Sequence, residues 1–128
     1  MLDTHIWLWS LLEPERLSRP VAAALSHREA DLWLSPISTW EALLLVERGR
    51  VVSEEPPRRL IERLLSALPA REAPLTHEVA VEAIAVRLRH RDPADRFLAA
   101  TAKVFDLTLV TADERLLDSP DFAVMPNR

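Results

Sequence analysis

The sequence predicts an α/β fold in which a central parallel sheet of four or five strands carries helices on both faces. Two observations support this prediction. Short apolar runs such as residues 107–110 are rich in strand-forming residues, whereas longer segments such as residues 97–105 repeat apolar residues at helical spacing. The two kinds of segment alternate along the chain, and strands that alternate with helices favour parallel pairing.

The composition predicts one domain that spans residues 1–128. Of the residues, 48% are hydrophobic, enough to bury a core at this length. The chain has no cysteine, which excludes a disulfide framework and thiolate metal sites. No basic and apolar leader opens the sequence, and no apolar run would span a bilayer, so we expect a cytoplasmic protein. The net charge of −4 argues against a broad non-specific nucleic-acid binder but not against a nuclease with an acidic metal site.

The predicted helices begin at capping residues and prolines. Ser18 caps a helix to about residue 26, and Asp92 caps another that continues from Pro93 to about Phe105. Ser35 or Ser38 opens a helix that Gly49, the only glycine, terminates. The full set of predicted helices covers residues 4–12, 18–26, 39–48, 57–68, 76–88 and 93–105, with a short helical turn at 114–117.

The predicted strands are short. We expect them at residues 1–3, 31–35, 72–75, 107–110 and 122–125. Pro74 makes the third of these a poor central strand, so it is assigned to an edge.

Four carboxylates occupy positions that are unusual for solvated acids. Asp3 and Asp113 directly follow predicted strands, where ligands bind in open α/β sheets. Glu41 and Asp95 lie beside the inward face of their helices, judging from the apolar residues three and four positions away. If these elements meet, four negative groups converge and require a cation. Oxygen ligands without cysteine select Mg²⁺ or Mn²⁺, and two such ions can promote in-line phosphoryl displacement by water.

Each acid also has a structural explanation. Asp3 and Asp113 could cap the helical segments that follow them, and Asp95 could complement the dipole of its helix. Glu41 could pair with an arginine such as Arg96. Taken singly, these explanations are favoured over a metal site.

Four sequence blocks carry a resemblance to known proteins: LDTHIWLW at 2–9, SPISTWE at 35–41, HRDPADRFLAATA at 90–102 and LVTADE at 109–114. Together they resemble the PIN-domain family, and most closely its VapC-type toxin ribonucleases. The resemblance implies a PIN-like fold and a toxin of a toxin–antitoxin system that cleaves RNA with Mg²⁺ or Mn²⁺. It places the catalytic and metal-binding roles on Asp3, Glu41, Asp95 and Asp113, hereafter the four acids. It also implies a cognate antitoxin and a homodimer as partners.

The resemblance and the local sequence suggest several supporting residues. Thr111 matches a hydroxyl that often supports such sites, and Asp92 matches a frequent acid but is equally suited to capping. A basic run next to them could hold RNA phosphates through His90, Arg91 and Arg96, or could be a solvated helix end.

The four tryptophans are assigned mainly to the core. Trp7 and Trp9 are two positions apart on one helix and must face different ways, so one of them could anchor a partner. Because only two residues precede Asp3, either the first strand is short or the natural start lies upstream.

Three alternatives remain open from the sequence. The fold could be a catalytically silent PIN-like module that only binds a protein partner, although all four acids are present. A phosphotransfer receiver also has acids at strand ends, but it needs a paired acid beside the first strand and a lysine after the last, and neither is in place. A nuclease that acts on DNA is a variant of the main prediction.

Overall fold

A computed structural model describes residues 1–128. The chain forms six helices, two 3-10 turns and four short strands. The helices are α1 (Thr4–Leu12), α2 (Arg19–Ser26), α3 (Pro36–Glu47), α4 (Pro57–Ala67), α5 (His77–Ala85) and α6 (Pro93–Val104). The strands are β1 (Trp33–Leu34), β2 (Arg71–Glu72), β3 (Leu109–Thr111) and β4 (Val124–Pro126), and the 3-10 turns cover Pro14–Arg16 and Glu114–Leu116.

Short polar side chains fix where most helices begin. The side chains of Asp3, Ser18, Ser35, Thr76 and Asp92 each accept a hydrogen bond from a backbone N–H of the first helical turn. The caps predicted at Ser18 and Asp92 are confirmed. Helix α3 starts three residues earlier than the predicted residue 39, because Ser35 is the cap and a proline fits the position after it.

The predicted central sheet of four or five strands is not present as a continuous ladder. Strand β1 pairs with β2 and β3 pairs with β4, both in parallel. The pairs are joined by the segment Met1–Asp3, in which Leu2 forms parallel bridges to Leu34 on one side and Val110 on the other. The predicted strand at residues 1–3 is therefore reduced to a bridge, because α1 begins directly after Asp3 and takes the chain out of the extended conformation.

The remaining strands are shifted for local reasons. Leu107 donates its N–H to the carbonyl of Ala102, and Asp106 adopts a φ of 52°, so the chain is still closing α6 where a strand was predicted. Strand β2 ends at Glu72, one residue into the predicted 72–75, and Pro74 lacks the N–H to continue the ladder. Gly49 has a φ of 70° directly after α3, which confirms the predicted left-handed termination.

The core lies on both sides of Leu2. Leu2, Ile6 and Trp7 have no exposed surface and pack with residues of α3 and α4, while Leu98 and Leu109 form a second cluster on the side of α6 and β3. Helices α5 and α6 pack against each other through Val79, Ala83 and Ala100. No helix of the structure is long and apolar enough to cross a membrane. This arrangement leaves the residue after Leu2, Asp3, at the junction of the two strand pairs.

Candidate metal centre

Asp3 lies at the junction with both carboxylate oxygens in use. Its side chain is buried, with the residue 6% exposed. Oδ1 accepts the N–H of Ile6 at 2.9 Å, and Oδ2 accepts the hydroxyl of Thr111. The capping explanation for Asp3 is thus correct, but it accounts for only one of the two oxygens.

Glu41 projects from the middle of α3 toward α1. Its Oε1 accepts the hydroxyl of Thr4 at 2.6 Å. Pairing with Arg96 does not occur, because the Nε and Nη2 atoms of Arg96 donate to carbonyl oxygens at the end of α5. The hydroxyl orients the carboxylate without supplying a neutralising charge.

Asp95 lies in the first turn of α6 and is incompletely satisfied. The residue is 9% exposed, and its Oδ2 is a buried atom without a hydrogen-bond partner. The basic groups within 4.0 Å of that oxygen are His90 Nε2 at 3.3 Å and Arg115 Nη2 at 3.7 Å. A buried carboxylate oxygen in this condition indicates that a cation or water is expected there.

Asp113 follows β3 and is the most accessible of the four acids. It caps the 3-10 turn, since its Oδ1 accepts the backbone N–H of Arg115 at 2.9 Å. The Arg115 side chain also forms a two-pronged ion pair with it, with Nη2 to Oδ2 at 2.6 Å and Nε to Oδ1 at 3.0 Å. Asp113 is the only one of the four acids that is hydrogen-bonded to an arginine side chain.

The structure brings all four acids to one cavity of about 410 Å³, hereafter the acidic cleft. Asp92 lies on its wall as well. Next to the cleft, His90 joins two of the acids, and ligand atoms of His90, Asp95 and Asp113 lie within 4.8 Å of one another. Residues that are far apart along the chain therefore share one solvent-accessible space: Asp3 and Glu41 are 38 positions apart, and Glu41 and Asp113 are 72 positions apart.

The pKa values follow from burial and from the concentration of negative charge. Burial, reinforced by Asp92, Asp113 and Glu41, raises the pKa of Asp95 to about 7. Burial also raises the pKa of Asp3 and of Glu41. Only Asp113 shows the opposite direction, because the hydrogen-bonded guanidinium of Arg115 lowers its pKa.

The donor set fits a hard divalent cation. Carboxylate oxygens dominate the cleft, one of them is buried and unbonded, and burial followed by the neighbouring acids raises the pKa of Asp95. His90 is unsuited to metal binding as it stands. Its Nδ1 accepts the N–H of Asp92, so the proton lies on Nε2, the atom that faces Asp95. The arrangement could concentrate one or two cations and hold them against a phosphodiester.

The supporting residues from the sequence lie next to the acids. Thr111 is fully buried, donates to Asp3 and accepts the N–H of Asp113 at 3.0 Å, so one hydroxyl connects two of the four acids. Asp92 accepts the N–H of Ala94 as the cap of α6 and also lines the acidic cleft. Both of the roles weighed for Asp92 are therefore structurally available to it.

Arg96, a predicted RNA contact, donates hydrogen bonds within the protein, and its contact with RNA stays a prediction. Arg96 donates to the carbonyl oxygens of Ala83, Ile84 and Val86 at 2.7, 3.0 and 2.8 Å, and so caps the C-terminal end of α5. Unsatisfied helix carbonyls attract a guanidinium more strongly than open solvent does. His90 lies beside Asp95, and Arg91 is exposed. The predicted contacts of His90 and Arg91 with RNA stay predictions.

Several residues of the cleft had no signal in the sequence argument. Arg48 and Arg50 flank Gly49 and line the cleft, as do His5, Trp40 and Arg115. The position of Arg115, two residues after an acid proposed to bind metal, could have suggested an ion pair. Trp7 is fully buried as assigned, but Trp40 is 53% exposed and departs from the assignment to the core.

Comparison with known proteins gives a consistent family assignment. The family model described as the PIN domain matches residues 1–122. The chain is 35% identical over 117 residues to Ribonuclease VapC22 of Mycobacterium tuberculosis, a match that covers 91% of this chain and 88% of the relative.

Solved structures agree with this assignment. FitAcB from Neisseria gonorrhoeae has a TM-score of 0.73 and 29% identity, with 98% of this chain and 96% of that chain covered. VapBC2 from Rickettsia felis, bound to a DNA fragment from its promoter, also has a TM-score of 0.73, with 98% and 96% covered. At 16% identity this second likeness supports the fold alone.

Proposed function

The chain belongs to the PIN-domain family, and from this premise we propose that it is a VapC-type endoribonuclease, the toxin of a toxin–antitoxin pair. In this proposal, residues 1–128 form one domain, and the segment before Asp3 serves as the central strand of a parallel sheet of four or five strands. The observation that carries the proposal is the convergence of the four acids on the acidic cleft. The relative that bears the name of a ribonuclease supports RNA as the substrate.

The four acids are proposed to bind Mg²⁺ or Mn²⁺. A bound cation would stabilise charge on the phosphate oxygens and lower the pKa of an attacking water. Asp3 and Glu41 are pre-oriented for this role by hydroxyl donors, and Asp95 offers an oxygen without a partner. Glu41 binds a cation or positions the attacking water. The expected products carry 5′-phosphate and 3′-hydroxyl ends.

The rim of the cleft is proposed to hold the RNA strand. Arg48 and Arg50 line the cleft and are exposed, so they could neutralise phosphates next to the four acids. Arg91 and His90 would extend this surface at the start of α6. In this proposal the basic side chains lie on the rim of the cleft and the four acids lie inside it. A metal-dependent nuclease needs this arrangement, with acids for the cations and basic groups for the phosphates.

A cognate antitoxin and a second copy of the chain are the proposed protein partners. Support comes from the family assignment and from the solved complexes that this fold resembles, which include a toxin–antitoxin complex from Klebsiella pneumoniae at 17% identity. The proposed place of action is the cytoplasm, where cellular RNA is accessible.

The test compares Asp95→Asn with Asp106→Asn, the same change at the two ends of α6. Asp106 is exposed and has a φ of 52°, which asparagine tolerates. With single-stranded RNA and Mn²⁺, we expect wild type and Asp106→Asn to cleave, and Asp95→Asn to lose at least about a hundredfold in rate. EDTA should abolish cleavage in all cases. Retained turnover in Asp95→Asn would remove Asp95 from the site, and no cleavage under any divalent cation would favour the silent binding module.

A further inference from the structure

Arg115 stands where the acidic cleft most needs positive charge. Its Nη2 is 2.6 Å from Asp113 Oδ2 and 3.7 Å from Asp95 Oδ2, so one nitrogen lies between the two carboxylates. The second distance is too long for a hydrogen bond, which leaves Asp95 Oδ2 unbonded. A divalent cation that binds both carboxylates would have to take the place of this guanidinium.

We propose that Arg115 is an exchangeable internal cation, which competes with the divalent metal for Asp113 and Asp95 and, once displaced, binds a phosphate of the RNA. This inference rests on the proposed nuclease function and assigns a residue role beyond the four acids. In the metal-free protein the guanidinium partly neutralises the cleft. In the metal-loaded protein the same side chain becomes available to the substrate.

The local structure allows the exchange without loss of the site. The side chain of Arg115 is 58% exposed, whereas Leu116 is 1% exposed and anchors the turn that carries it. The backbone N–H of Arg115 holds Asp113 Oδ1, and the N–H of Asp113 donates to Thr111. These backbone contacts keep Asp113 oriented whether or not the guanidinium stays.

The surroundings also give the displaced side chain a place to bind phosphate. Arg115 lines both the acidic cleft and a neighbouring cavity of about 240 Å³, where Arg87 and Arg89 are found as well. Arg87 and Arg89 pair with Asp121 and Asp118, at 2.6 and 2.5 Å, and so are already committed. Arg115 is therefore the arginine of this cavity that would lose its partner, Asp113, when the metal binds. A guanidinium suits the fork of phosphate oxygens.

The direct test measures Mn²⁺ binding by electron paramagnetic resonance on the full chain in the absence of RNA. We expect Arg115→Gln to bind Mn²⁺ about three- to tenfold more tightly than wild type, because an exposed ion pair no longer opposes binding. Arg89→Gln removes the same charge from the same cavity but leaves both carboxylates untouched, and should change the affinity less than about twofold. Equal affinities for Arg115→Gln and wild type would overturn the competition.

The second readout concerns the phosphate role. At saturating Mn²⁺, Arg115→Gln should raise the KM for single-stranded RNA by about three- to tenfold, with Arg115→Lys between it and wild type. A KM unchanged in Arg115→Gln would overturn this role. The nuclease proposal has its own control in the same assay. Loss of Mn²⁺ binding in Asp95→Asn supports the metal site even if Arg115 proves irrelevant, whereas a wild type that binds no Mn²⁺ contradicts the nuclease proposal itself.

Discussion

The two halves of the acidic cleft are held in different ways. On the inner side, Asp3 and Glu41 accept hydrogen bonds from the neutral hydroxyls of Thr111 and Thr4. On the outer side, Asp113 is held by a charged and exposed guanidinium, and Asp95 keeps one oxygen without a partner. Neutral donors orient a carboxylate and leave its charge available. A charged partner neutralises the carboxylate for as long as the ion pair lasts. The inner half can therefore bind a cation directly, whereas in the outer half the guanidinium has to move away first.

The largest expected effect is on the inner half. Asp3→Asn should reduce RNA cleavage by at least about a hundredfold, because an amide replaces a buried carboxylate where negative charge is needed. Asparagine can still cap α1, so the thermal unfolding midpoint should change little. Asp31→Asn serves as the matched control, since Asp31 is exposed, pairs with Arg71 and does not line the acidic cleft. Full activity in Asp3→Asn at equal folded fraction would show that the inner half is only structural.

The next effect concerns the hydroxyl that orients the inner half. Thr111→Val keeps the shape but leaves Asp3 Oδ2 and the N–H of Asp113 without their partner. We expect about tenfold slower cleavage and a loss of about 1–3 kcal/mol in unfolding free energy. Thr111→Ser should restore most of the activity. Failure of serine to rescue would mean that the methyl packing, and not the hydroxyl, matters.

A pH dependence sharpens the comparison for the outer half. Asp95 has a folded-state pKa of about 7, raised from 3.8 by burial and by its acidic neighbours. Between these two values Asp95 binds more protons in the folded chain than in the unfolded chain, so its contribution to stability is fully present below pH 3.8 and is lost as the pH rises through 7. In EDTA, urea unfolding should show a loss of about 1–3 kcal/mol from pH 5 to pH 8. The loss should be smaller in Asp95→Asn and in wild type with Mg²⁺, and an identical slope in all three would assign it to other groups.

The smallest expected effects separate two arginines of the same basic run. Arg96→Gln should cost about 1–2 kcal/mol in unfolding free energy, because three carbonyl oxygens at the end of α5 lose their donor. Arg91→Gln should leave stability unchanged and raise the KM for RNA about twofold at low salt. A loss of stability in Arg91→Gln together with a raised KM in Arg96→Gln would show that Arg91 has the structural role and that Arg96 contacts the RNA.

The sequence was sufficient for features that depend on local chemistry. Caps at Ser18 and Asp92 and the left-handed Gly49 were predictable, because one side chain or the lack of one decides each of them. The four sequence blocks were sufficient to identify the PIN-domain family, whose family model matches residues 1–122. The convergence of the four acids was expected from strand ends and helix faces, and the structure places all of them in one cleft, although their roles stay a proposal.

Other features depend on contacts that sequence spacing does not encode. Strand lengths were overestimated because pairing partners, and not propensity, decide where a ladder ends. Arg96 could not be assigned, since the open carbonyls that bind it belong to another helix. The ion pair of Arg115 depends on which rotamer the packed turn allows, and the exposure of Trp40 depends on how α3 is rotated over the core.

The narrow junction at Leu2 has a mechanical consequence. Glu41 lies on α3, the helix that follows β1, and Asp113 follows β3, while Asp3 lies in the segment that bridges both strand pairs. A cation shared by these carboxylates would therefore connect two strand pairs that the backbone joins only through the short segment Met1–Asp3. Binding of the cation would then make the whole molecule more rigid. The backbone amides of Leu2 and Val110 should exchange their hydrogens more slowly when the cation is bound.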